Sequence, residues 1–195
     1  MSWRRLLLCL GLALCCAAAG AQERIEVCYN YGCLNTATVS FSKRQLAQLR
    51  DLLDDAVSAA HERELIAVAI GRLLGWAGRQ SPIHADRGGN YADEGVYGRM
   101  DCIDHATTTT RLLRLLERHG WLRWHHVLEP EMRSRLLVFD HWSAVIEEAP
   151  KAPYRDADPL SRKRYAVDSW FYDNGRPAVV MPLEAWMDWE EPRVE

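Results

Sequence analysis

Cys102, His141 and Asp168, far apart in the chain, carry the side chains that acyl transfer at sulfur requires. In such chemistry a thiolate attacks the carbonyl carbon and an imidazole shuttles the proton. A carboxylate holds the imidazole in the right tautomer and orientation. Cys102 follows Asp101 at the head of an apolar-periodic stretch, which places it in the first turn of a helix. There, unpaired backbone N–H groups and the helix dipole favour a thiolate. His141 stands in Asp140-His141-Trp142 and Asp168 in Ala166-Val167-Asp168-Ser169-Trp170, segments with the period of strands. In a strand His141 shares a face with Phe139, Ser143 and Val145, and Asp168 shares one with Ala166 and Trp170. Apolar neighbours of that kind strengthen a carboxylate–imidazole pair relative to water. Asp101 and Asp104 flank the thiol, oppose its ionisation electrostatically and are suited to capping the helix or selecting a cationic substrate.

Each residue also has a plainer role open to it. A helical Cys can be a small buried hydrophobe, His141 a satisfied core histidine, and Asp168 a strand terminator bonded to a backbone amide. A competing chemistry would combine Cys102-x2-His105 with His125-His126 around a metal. Adjacent strand residues point to opposite faces, so only one of that histidine pair could join. With no second Cys or closely spaced His pair, neither metal nor other cofactor is expected.

The elements that must position these residues read as α+β, with helices first and an antiparallel sheet after them. Thr36 to Phe41 is strand-like. Ser42 with Gln45 forms a capping box for a helix carrying Leu46, Leu49, Leu52 and Leu53. A second helix runs from about His61 to Gly78, and Pro82 to Gly98 is an aperiodic loop of the length that is more often functional than idle. Asp101 to His119 forms the third helix, with Ile103, Ala106, Thr110, Leu113 and Leu116 inward and Gly120 just beyond its end. Trp121 to Leu128, Arg135 to Glu147 and Tyr165 to Tyr172 read as strands. Asp173-Asn174-Gly175 then turns into Ala178 to Met181, and Leu183 to Trp189 is a short terminal element.

Together these segments resemble the transglutaminase-like branch of the papain-type cysteine enzymes. Gly98-Arg99-Met100-Asp101-Cys102, with Ala106 and the Leu-Leu-x-x-His-Gly helix end, is similar to the family's nucleophile helix. His141-Trp142-Ser143-Ala144-Val145 resembles its histidine strand, and Val167-Asp168-Ser169-Trp170 its acid strand. The similarity spans roughly Gly95 to Met181. It implies a nucleophile-bearing helix packed on an antiparallel sheet and a Cys102–His141–Asp168 triad acting on peptide or protein amides. No calcium-loop pattern is present, and the Gln-x5-Cys spacing of papain is missing, which leaves the side-chain oxyanion donor unassigned.

Composition sets the remaining bounds. The 195 residues carry 24 Lys and Arg against 27 Asp and Glu, a net charge of −3 with no basic block, which disfavours nucleic acid as a partner. Arg4-Arg5, the apolar run Leu6 to Leu14 and Ala19-Gly20-Ala21 form the pattern of a secretory signal cleaved after Ala21. That leaves 22–195 as one domain, with no stable membrane insertion expected. Cleavage would remove Cys9, Cys15 and Cys16 and leave 22 basic against 27 acidic residues. In the oxidising periplasmic or extracellular space, the closely spaced Cys28 and Cys33 are expected to be bridged and Cys102 to be free. The expectation is an exported cysteine peptidase or amidase acting in the cell envelope. The alternatives are a transamidase, or a non-catalytic binding or assembly protein built on the same fold.

Overall fold

The computed structural model describes residues 22–136, 139–150 and 162–190. The expected signal segment, 1–21, lies outside them. The architecture is mixed α and β, with four α-helices and two antiparallel sheets among the described residues.

The first sheet is a two-stranded ribbon. Strand β1, Glu23–Tyr29, pairs with β2, Asn35–Phe41, with Glu23 opposite Phe41 and Tyr29 opposite Asn35. Alternation sends Ile25, Val27, Val39 and Phe41 into the core. Helix α1, Lys43–Asp54, starts at the Ser42–Gln45 capping box, and α2, Ala59–Gly78, starts at Ser58. A 3-10 turn at Pro82–Ala85 opens the long loop that leads to α3, Cys102–Arg118. Gly120, with φ +71°, takes the left-handed position past the end of α3. Ile103 departs from the expected inward stripe and is exposed, whereas Ala106, Thr110, Leu113 and Leu116 are buried as the period requires.

The second sheet has strand order β3-β5-β6-β7, with β4 also on β5. Its members are β3 (His125–Val127), β4 (Glu131–Arg135), β5 (Phe139–Glu148), β6 (Arg164–Asp168) and β7 (Val179–Pro182). Helix α4, Leu183–Met187, follows directly. In the antiparallel ladders Arg133 stands opposite His141, Ala144 opposite Val167, and Asp168 opposite Val179.

Three expected strands are shorter than the patterning predicts, each for a local reason. Trp121 to Leu128 contracts to β3 because the Arg123 and Trp124 amides and the His125 ring turn to the buried Glu62 carboxylate instead of a neighbouring strand. Arg135 to Glu147 divides because Leu136 adopts φ +56°, a turn conformation, and β5 begins only at Phe139. Tyr165 to Tyr172 stops at Asp168, whose Oδ1 accepts the Trp170 amide two residues on and closes a side-chain turn.

Strand alternation gives this sheet two different faces. Ala144, Ile146, Tyr165 and Val167 face α3 and merge with its Leu112, Leu113, Leu115 and Leu116 in the main core. The other face carries Arg133, His141, Ser143 and Asp168, with Trp186 of α4 against it.

Candidate active site

The start of α3 is held by carboxylates that serve two masters. Asp101, the N-cap, accepts the Asp104 amide, and Asp104 accepts the Asp101 amide in return. The remaining lone pairs are taken by the loop between β1 and β2. Tyr31 and Cys33 donate backbone N–H groups to Asp104 at 2.8 and 2.6 Å, and Gly32 donates to Asp101 at 2.9 Å. Three consecutive amides converge because Asn30, Tyr31, Gly32 and Cys33 all have φ between +56° and +67°. A run of this kind turns its N–H groups inward to form an anion cradle. Only Gly32 adopts that backbone freely, and the Cys28–Cys33 disulfide closes the turn across the other three. The expected bridge is therefore present, and it supports the first turn of α3. Burial and the neighbouring Asp101 push the Asp104 carboxyl up to about 6, against the pull of the three amides bonded to it.

Cys102 is half-buried and free of any disulfide. Its Sγ lies 3.9 Å from the Asp140 carbonyl oxygen, and the Trp142 amide is near enough to favour the thiolate. These two groups bracket His141 along β5. The β6 ladder begins only at Ala144, so the thiol sits where β5 has no neighbouring strand on that edge. Burial is the largest influence on this thiol and pushes it up, with Asp101 and Asp168 adding to the effect. The Trp142 amide and the Cys102 amide pull the other way. The amide at the helix start thus favours the thiolate but is outweighed by burial.

His141 and Asp168 meet directly. His141 Nε2 is 2.7 Å from Asp168 Oδ2, with both side chains almost fully buried. The carboxylate takes two further donors, the Trp186 indole at 2.9 Å on Oδ2 and the Trp170 amide at 3.1 Å on Oδ1. The imidazole lies in an aromatic pocket, with ring centroids of Trp170, Trp186 and Phe171 at 5.0, 5.8 and 5.9 Å. Tyr91 of the long loop packs edge-on against Trp170 at 4.7 Å, above the site. With Nε2 committed to Asp168, Nδ1 is the nitrogen left for proton transfer, and it has no hydrogen-bond partner among the described residues. The structure thus joins two of the three expected residues by a hydrogen bond. It brings the third, Cys102, against the backbone beside His141.

A second histidine–carboxylate pair lies behind the thiol. His105, one turn along α3, places Nε2 3.0 Å from Asp86 Oδ2 and Nδ1 2.9 Å from Ser169 Oγ. Ser169 continues to Thr109 at 2.8 Å, and Met100 donates its amide to Asp86. This network ties α3, the long loop and the residue after Asp168 together. It also engages both nitrogens of His105, while His125 is engaged by Glu62 and Arg63, so the histidines of the metal alternative do not converge on Cys102. Among the described residues the close His, Cys, Asp and Glu grouping is Cys28, Cys33 and Asp104, whose sulfurs are consumed by the bridge.

Residues without a legible signal complete the site. Trp186 and Arg133 reach Asp168 or its neighbours through contacts between segments far apart in sequence. Asp101 and Asp104 showed their capping spacing, but not the Tyr31–Cys33 amides they also accept. Among the described residues, no helix is long and apolar enough to cross a membrane. In comparisons with family models, curated proteins and solved structures, the chain matches none.

Proposed function

We propose that the protein is an exported, thiol-dependent amide hydrolase of transglutaminase-like architecture, with Cys102 as nucleophile, His141 as acid–base and Asp168 as its orienting carboxylate. The observation that carries this reading is the buried His141–Asp168 pair at 2.7 Å, on the strand whose backbone also contacts the Cys102 sulfur. A buried carboxylate that binds Nε2 leaves Nδ1 to take the thiol proton.

In this reading the thiol proton passes to His141 Nδ1 and the thiolate adds to the amide carbonyl carbon. The resulting oxyanion is held by backbone N–H groups at the start of α3. Collapse of the tetrahedral adduct breaks the C–N bond, and the imidazolium returns its proton to the leaving amine. Water, deprotonated by His141, then hydrolyses the thioester and frees the thiol. Replacing water by an amine at that step would make the protein a transamidase. The Cys28–Cys33 bridge supports an oxidising compartment and hence action in the periplasm or outside the cell, on peptide or protein amides.

The burial that raises the Cys102 thiol favours a second reading, a binding or assembly protein that keeps the fold without turnover. A peptidyl vinyl sulfone separates the two. A hydrolase is labelled at Cys102 and loses labelling in Cys102→Ala and His141→Ala. A binding protein is unlabelled at neutral pH, and its biological phenotype survives Cys102→Ala.

A further inference from the structure

Arg133 stands directly across β4–β5 from His141, on the face that carries Asp168. It is buried, with 6% of its surface exposed, an unusual state for a guanidinium without a carboxylate in contact. Its Nη1 donates to the Trp186 carbonyl oxygen. Its guanidinium carbon lies 4.5 Å from the Trp186 ring centroid and 4.1 Å from that of Trp189. Such cation–π contacts repay part of the desolvation, and the planar guanidinium suits them better than an ammonium. The buried Arg133 Nε nevertheless has no hydrogen-bond partner among the described residues.

A buried cation that forgoes part of its hydrogen bonding needs a compensating charge. Among the described residues, the charged and titratable groups facing Arg133 are Asp168 from β6, His141 from β5 and Tyr91 from the long loop. Glu184 and Asp188, on the outer side of α4, are exposed to solvent. Asp168 is therefore the buried anion it serves, and Trp186 links the two by donating its indole N–H to Asp168 and its carbonyl oxygen to Arg133.

We propose that Arg133 is a positioning residue of the site: clamped between Trp186 and Trp189, its guanidinium supplies the buried positive charge facing Asp168 and His141 and fixes the indole that orients the carboxylate. This rests on the Cys102–His141–Asp168 reading above. A nearby cation favours anions and disfavours a second cation. Removing it should therefore make the Cys102 thiolate harder to form and the His141 imidazolium harder to lose. Both limbs of a bell-shaped pH profile then move to higher pH, a signature that loosened packing alone does not produce.

The test measures the pH dependence of Cys102 alkylation by iodoacetate, an anion whose reaction needs both the thiolate and the protonated imidazole that attracts it, in the full mature protein, for wild type, Arg133→Met and Arg133→Lys. The expected result is a wild-type bell whose limbs both rise by about one pH unit in R133M and return most of the way in R133K. Unmoved limbs in a folded R133M overturn the proposal and leave the triad intact. Should R133M fail to fold by circular dichroism, Trp189→Leu decides, because it opens the clamp and retains the charge. Limbs displaced upward by a smaller amount support the role, and unmoved limbs overturn it. A wild-type profile with no bell overturns the triad itself, and this proposal with it.

Discussion

The Trp186 indole N–H donates to Asp168 Oδ2 at 2.9 Å, the same oxygen that holds His141 Nε2. One lone-pair-rich atom thus takes two buried donors, which fixes the carboxylate's rotation and, through it, the plane of the imidazole. A hydrogen bond to a charged group contributes about 1.5–3 kcal/mol. Trp186→Phe keeps the aromatic wall and removes the donor. The variant should lose stability of that order in urea denaturation, and kcat should fall about tenfold with KM little changed.

The Cys28–Cys33 bridge closes a short loop, for which chain entropy gives about 2 kcal/mol of stabilisation. A Cys28→Ser/Cys33→Ser protein should lose that amount. It should also lose activity, because the amides of Tyr31, Gly32 and Cys33 no longer stay aimed at Asp101 and Asp104 beside the thiol. Denaturation midpoints and turnover measured on the same preparation check both effects. A destabilised variant with full activity would show that the loop stabilises the fold without positioning Cys102.

Asp104 gives a signed pH effect. Its carboxyl is pushed up to about 6, mainly by burial, above the ordinary value of 3.8. A raised acid binds more protons folded than unfolded between those values. Its contribution to stability is therefore full below about pH 4 and is lost as pH rises through 6. Subtracting the stability curve of Asp104→Asn from that of wild type should isolate this fall from the titration of buried histidines. The variant should also be less stable overall, because an amide cannot accept at both positions where Tyr31 and Cys33 donate. A difference curve that is flat between pH 4 and 6 would mean that Asp104 titrates normally.

What was legible in the sequence was local. The Ser42–Gln45 and Asp101–Asp104 capping spacings, Gly120 past α3 and the Asp173-Asn174-Gly175 turn lie within a few residues of what they organise. The order helix, strand, strand for Cys102, His141 and Asp168 was readable for the same reason. Strand ends were not, because distant or side-chain partners decide them: Glu62 draws Arg123 and Trp124 out of β3, and Asp168 bonds the Trp170 amide instead of letting β6 continue. The charge environment was equally hidden. Helix position argues for a thiolate at Cys102, while burial raises it and the sulfur rests on the Asp140 carbonyl of β5, a partner distant in the chain. Arg133 and Trp186 carry no spacing relative to Asp168, since Trp186 meets it from α4 and Arg133 stands across β4–β5 from His141.

Asp168→Asn should reduce activity less than either Cys102→Ala or His141→Ala. It changes the tautomer and orientation of the imidazole but removes neither the nucleophile nor the base; losses in related triads reach roughly 10⁴-fold. Single-turnover acylation by a peptidyl ester checks this order. A D168N variant as inactive as C102A, yet still folded, would mean that the carboxylate does more than orient.

The most direct measurement is the rate of Cys102 alkylation by iodoacetamide against pH, in wild type and in His141→Ala. Burial makes an isolated thiol at this position harder to ionise than ordinary cysteine, so thiolate below pH 8 has to come from proton transfer to His141. Wild type should react readily between about pH 5 and 8 as an ion pair, and H141A should react only above about pH 9. Two superimposable curves, both rising only in alkaline solution, would contradict a Cys102–His141 pair and leave Cys102 a buried structural thiol.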